Sequence, residues 1–111
     1  KRYFTLPPRE SKQLGESHSL VLGNWMAAKG YARAALLLFQ RHLRDYPIGS
    51  TAAAAHVGAG LLQLRAFGQP TAAYQHLVEA LGLDPSSETE TLARQGLAQI
   101  AALQKFQLNS L

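Results

Sequence analysis

"GYARAALLLFQRHLRDYP", residues 30–47, and "GQPTAAYQHLVEALGLDP", residues 68–85, superpose at an offset of 38 positions. Gly30 falls on Gly68, Ala35 on Ala73, Phe39 on Leu77 and Pro47 on Pro85. Each stretch is one helix long. Its opening glycine suits the left-handed turn that ends a preceding helix. Its closing proline cannot donate to a helix and pushes the residue before it out of the helical region. Between them, small residues recur where helices must approach and bulky ones where the gap must be filled. Upstream of each copy lies a matching run, with Gly23 seven residues before Gly30 and Gly60 eight before Gly68. A recurring helix pair marks an internal repeat, whose units bury their apolar faces by stacking on one another.

The rest of the chain agrees. Alanine, leucine and glutamine are abundant, and no alternation of period two persists. The expectation is an all-α domain of five helices, near residues 16–29, 31–46, 52–67, 70–83 and 87–106. Ser50 or Thr51 is positioned to cap the third helix, and Ser86 or Ser87 the fifth. Pro70 fits the first turn of the fourth, and Glu88 and Glu90 suit the positive end of the fifth helix dipole. The fifth also carries Leu92, Leu97, Ile100, Ala101 and Leu103, read as one apolar stripe that closes the stack.

Leu22-Gly23, Ala35, Phe39 and Pro47, then Gly60, Ala73, Ala80 and Pro85, resemble the pattern of the tetratricopeptide repeats. "FQRHLRDYP" followed by "IGSTAA" is similar to the variant found in bacterial envelope and membrane-associated members. The resemblance implies a right-handed solenoid of helix-turn-helix units. Repeat 1 would span about 16–47, repeat 2 about 52–85, with a capping helix at about 87–106, all behind a basic segment, 1–15. One extra residue between Gly60 and Gly68 leaves the register of the second unit open by one position.

With 111 residues the chain can bury a core without a staple, and it has no cysteine to form one. The net charge of +4 is concentrated at one end, where Lys1, Arg2, Arg9 and Lys12 face only Glu10. The remaining body is nearly neutral, which is poor evidence for a phosphate-binding face, since such a face needs several cations on one surface. No apolar run approaches the length of a membrane span, and the opening is not a signal peptide.

Catalytic and metal-binding patterns are not found. His18, His42, His56 and His76 never fall three or four apart on one helix, so no metal site is expected. No pair of acids is set by local spacing in an apolar pocket. "GAGLLQ", residues 58–63, lacks the third glycine and the preceding strand of a dinucleotide fingerprint, and its glycines are read as letting helices touch. The run Ala34–Phe39 is read as core. Trp25 is read as packing on the N-terminal segment or the first helix pair, with partner recognition as the alternative. No enzyme activity and no cofactor are expected.

Two readings of function stand. The resemblance implies a protein-interaction module whose first helices line a concave face for a partner protein or peptide. Carried over position by position, that face falls on Ser17, Leu20, Asn24, Ala27 and Ala28, and on Val57, Leu61, Leu64 and Arg65. Leu20 stands where chaperone-binding relatives place a lysine, so an apolar groove with Arg65 as its lone fixed charge is expected. The alternative is a soluble structural or regulatory domain of a bacterial membrane protein, for example a rhomboid-type intramembrane protease. Its motive is "KRYFTLPPR", basic residues before an extended diproline, as follows a membrane helix on its cytoplasmic side. That reading places the domain at the cytoplasmic face, with the periplasm left open. Oligomeric state is monomer or weak homodimer, and no nucleic acid partner is expected.

Overall fold

The computed structural model describes the backbone of residues 8–110 and the side chains of residues 18–105. It is all-helical: α1 Pro8–Ala28, α2 Ala32–Asp45, α3 Ser50–Arg65, α4 Pro70–Leu81 and α5 Ser87–Ser110, with no strand among the described residues. Each helix packs on the next. In addition α1 touches α3 and α3 touches α5, whereas α2 and α4 do not meet. α3 is therefore the central helix, in contact with each of the other four.

The helix ends follow local chemistry. Gly30 and Gly68 both adopt positive φ, 91° and 61°, and reverse the chain after α1 and α3. Pro70 occupies the first turn of α4, and α2 stops at Asp45, just before Tyr46 and Pro47. Ser86 caps α5: its Oγ accepts from the Thr89 N–H at 3.2 Å, with Glu88 and Glu90 in the first turn. The expected Ser50 or Thr51 cap is corrected, because Gly49 is the N-cap of α3 and Ser50 its first helical residue. Gly49 enters at φ 100°, an approach that starts the helix before either hydroxyl residue is reached. α1 begins at Pro8 rather than near residue 16, since a proline is favourable at the first helical position. The expected basic segment 1–15 is therefore helical from residue 8, and residues 1–7 lie outside the described residues.

Packing explains the repeat. Phe39, 1% exposed, projects from α2 between α1 and α3 at two glycines. A Cβ on Gly23 would lie 2.8 Å from the ring, and one on Gly58 would lie 2.6 Å from it. Leu77, fully buried, does the same from α4. A Cβ on Gly60 would meet it at 3.1 Å and one on Gly96 at 2.7 Å. The glycines of "GAGLLQ" thus admit bulky side chains, and at Gly60 also the carbonyl oxygen of Ala73, 3.2 Å from where a Cβ would stand. Gly23 pairs with Gly60 at an offset of 37, and Phe39 with Leu77 at 38. The extra residue therefore lies in the turn, which is one longer between α3 and α4 than between α1 and α2.

Two contiguous cores result, one around Ala35, Phe39, Ala55 and Ala59 and one around Val57, Ala73, Leu77 and Ala93. α3 contributes to both, and is apolar around much of its circumference because it is covered on several sides. Two expectations change here. Within the Ala34–Phe39 run, Leu37 is exposed. On α5 the buried stripe is Ala93, Gly96 and Ile100 with Leu97 beside them, because helical periodicity from Ile100 leads there, while Leu92, Ala101 and Leu103 face outward.

Ala73 is wholly buried at the α3–α4 approach, so Ala73→Leu has no space to enter. It is expected to destabilise by about 1–3 kcal/mol, read as a lower urea midpoint at unchanged slope. An unchanged midpoint would contradict this packing.

Candidate functional site

The C-terminal ends of α1 and α3 frame an open groove of about 510 Å³. Asn24, Ala27 and Ala28 form one wall, Leu61, Leu62 and Arg65 the other, and Phe39 and Gly58 lie at its base. Among the described residues, Arg65 is the only charged one in the lining. Its exposed guanidinium donates from Nε at 3.3 Å and from Nη2 at 3.2 Å to Gln99 Oε1 on α5. That contact fixes the charge at the α3–α5 boundary while leaving N–H donors to spare.

Five of the nine positions expected on the concave face therefore meet: Asn24, Ala27, Ala28, Leu61 and Arg65. Leu20 is half-buried against the Phe39 cluster. Val57 and Leu64 are corrected from groove to core, at 3% and 7% exposure. They share a helical stripe with Ala53 and Gly60, and that stripe faces Leu77 and Ala73 rather than the groove. The side chain of Ser17 lies outside the described residues. The reading from sequence missed Gly58, Leu62 and Phe39 as groove lining; Phe39, itself 1% exposed, closes the base from beneath Gly58. Trp25 is half exposed rather than packed in the first helix pair, with the Lys29 ammonium 5.9 Å from its ring centre.

Three histidines, His42, His56 and His76, make side-chain contacts across helices. Ser19 Oγ lies 2.8 Å from Nδ1 of His42, which is buried and meets the Tyr46 ring at 5.1 Å between centres in a tilted arrangement. This has the distance of a nucleophile–base contact. Ser19, however, sits within α1, where backbone N–H groups are committed to the helix and cannot form an oxyanion hole. The contact ties α1 to α2.

His56 on α3 and His76 on α4 meet Nδ1 to Nδ1 at 2.8 Å. Burial is the first cause that lowers the pKa of each imidazole below 6.5; for His56 the neighbouring His76 lowers it further, and Glu79 opposes the shift for both. Spacing along one helix conceals this pair. Antiparallel pairing reveals it, since His56 is four residues before Gly60 and His76 three after Ala73, and those two are already in contact. Among the described residues no three ligating side chains converge as a metal site would require, and no helix is long and apolar enough to cross a membrane.

No protein-family model, curated protein or solved structure matches the chain.

Proposed function

We propose that this domain is a tetratricopeptide-like repeat, with units α1–α2 and α3–α4 and capping helix α5, that binds a segment of another protein in the groove between α1 and α3. The equivalent glycine contacts of Phe39 and Leu77 support the repeat reading. The observation that carries the function is the groove itself: open, about 510 Å³, apolar along Ala27, Ala28, Leu61 and Leu62, with Asn24 and Arg65 as polar anchors. Such a site gains from burying a small apolar side chain, while its few polar groups set orientation. Arg65 favours a segment carrying a carboxylate near that side chain. The alternative of an appendage to a membrane protein rests on the basic opening, and no feature of residues 18–105 favours it.

Selection from a displayed random-peptide library tests the groove. Ala28 and Arg65 are exposed, so Ala28→Trp/Arg65→Glu fills the groove and reverses its charge without entering the core. Peptides enriched on the wild type should lose binding to the folded double variant. Equal binding to both, or no enrichment, would remove the groove as the functional site.

A further inference from the structure

His56 and His76 join the two helices that form the second helix pair, and their geometry is specific. The ring centres are 5.1 Å apart and the nitrogens 2.8 Å apart. Half the difference, about 1.15 Å, is close to the radius of an imidazole ring, so the two nitrogens point almost directly at each other. Lone pairs aimed at one another do not converge on a metal ion, as chelation requires. They suit one N–H···N hydrogen bond, with Nδ1 of one ring protonated and Nδ1 of the other bare.

We propose that the His56–His76 bond is a pH-operated latch on the α3–α4 joint, which survives the first added proton and is broken by the second. The proton count gives the rule. Two neutral imidazoles carry two ring protons on four nitrogens, and one of these protons lies between the rings. A third proton goes to the free Nε2 of the donor ring, leaving the shared bond intact and charge-assisted. A fourth has only the accepting Nδ1 to occupy. Two N–H groups and two positive charges then face each other across the joint.

The surroundings bias this switch without overriding it. On α4, Glu79 favours the charged rings. The charged residue of α3 is Arg65, more than two turns from His56 and bonded to Gln99. α2, α1 and α5 also pack on α3 or α4. Neither the α2 charges Arg33, Arg41, Arg44 and Asp45 nor Lys29, in the turn after α1, is a cause of shift in either ring. The same holds for Glu88, Glu90, Arg94 and Lys105 of α5. Burial dominates instead, and holds both rings below the ordinary 6.5. The unfolded chain therefore binds more protons in the window beneath 6.5. The latch contributes fully above that value and is lost as pH falls through the lowered values. The two steps belong to the pair rather than to either ring. This inference does not depend on the groove having a ligand.

Nitrogen-15 NMR of the imidazoles in the wild-type protein reads the latch directly. At about pH 7.5 the two rings should be opposite tautomers, one protonated on Nδ1 and the other on Nε2, and they should titrate in two separated steps. Two Nε2–H tautomers, or one shared midpoint near the ordinary value, would overturn the proposal. Thermal unfolding gives a second reading through His56→Gln/His76→Gln, whose amides can bond without titrating and which leaves His18 and His42 in place. Between about pH 7.5 and about pH 5 the wild type should lose roughly 5 °C more in melting temperature than this variant. Equal losses would count against the latch. A rise in melting temperature with Zn²⁺ at neutral pH, absent in the variant, would replace the latch by a metal site.

Discussion

Phe39→Ala is expected to destabilise the protein by about 3–5 kcal/mol, a large share of the stability of a small domain. The ring is 1% exposed and stands between α1 and α3 at positions where neither helix has a side chain. Removing it leaves Gly23 and Gly58 facing empty space, with no neighbouring Cβ on either glycine to fill it. A double-mutant cycle makes the argument specific. In the wild type, a Cβ at Gly58 would lie 2.6 Å from Cζ and 2.7 Å from Cε2 of the ring. The ring cannot retreat, because Gly23 on α1 confines it from the other side. Gly58→Ala should therefore destabilise the wild type, although alanine improves helix propensity by about 1 kcal/mol. In the Phe39→Ala background the same change meets no ring and should stabilise. Urea unfolding of the four proteins measures the coupling. Additive effects would mean that Phe39 is not held between the two glycines.

Much of this arrangement was legible in the sequence. The 38-residue offset of "GYARAALLLFQRHLRDYP" identified the equivalence of Phe39 and Leu77 and the end of α2 beside Pro47, because those positions are set by backbone restrictions and by side-chain size, whereas α4 stops at Leu81, short of the expected residue 83 and of Pro85. What the pattern did not disclose is which gap each large side chain fills. The glycine partners lie on other helices, and Gly96 lies outside the quoted repeat. The start of α1 was obscured for a related reason: the diproline at residues 7–8 reads as extended chain, yet its second member is a favourable first residue of a helix.

The candidate site was only partly legible. Asn24, Ala27, Ala28, Leu61 and Arg65 could be placed together because the positions that face a groove recur with the helix period. Val57 and Leu64 could not be separated from them by that rule. Their environment depends on α3 being the central helix, with Leu77 and Ala73 packed against the stripe they share. The His56–His76 contact was hidden because a search along single helices cannot see residues brought level by a turn. Aligning α3 and α4 as an antiparallel pair at Gly60 and Ala73 would have exposed it.

Leu77→Ala should cost about 2–5 kcal/mol, and its distinguishing effect is where the loss falls. Leu77 fills the space at Gly60 on α3 and at Gly96 on α5, and the Leu61 side chain also borders Gly96. α5 is held only by α3 and α4 among the described helices, so this one side chain takes part in both of its attachments. The α1–α2 pair is held by other contacts, through Phe39 against Gly23 and Ser19 against His42, and is joined to α3 through Phe39 against Gly58. In a stack where each unit contacts only its neighbours, a local defect lowers the stability of adjoining elements most. Native-state hydrogen exchange should therefore show α5 amides, and to a lesser degree those of α4, losing protection while α1 and α2 retain more of theirs. Phe39→Ala, if folded, should invert that order, since it loosens α1 and α2 and leaves Leu77 seated between α3 and α5. If both variants reduce protection evenly along the chain, the five helices open as one cooperative unit and the nearest-neighbour description does not hold.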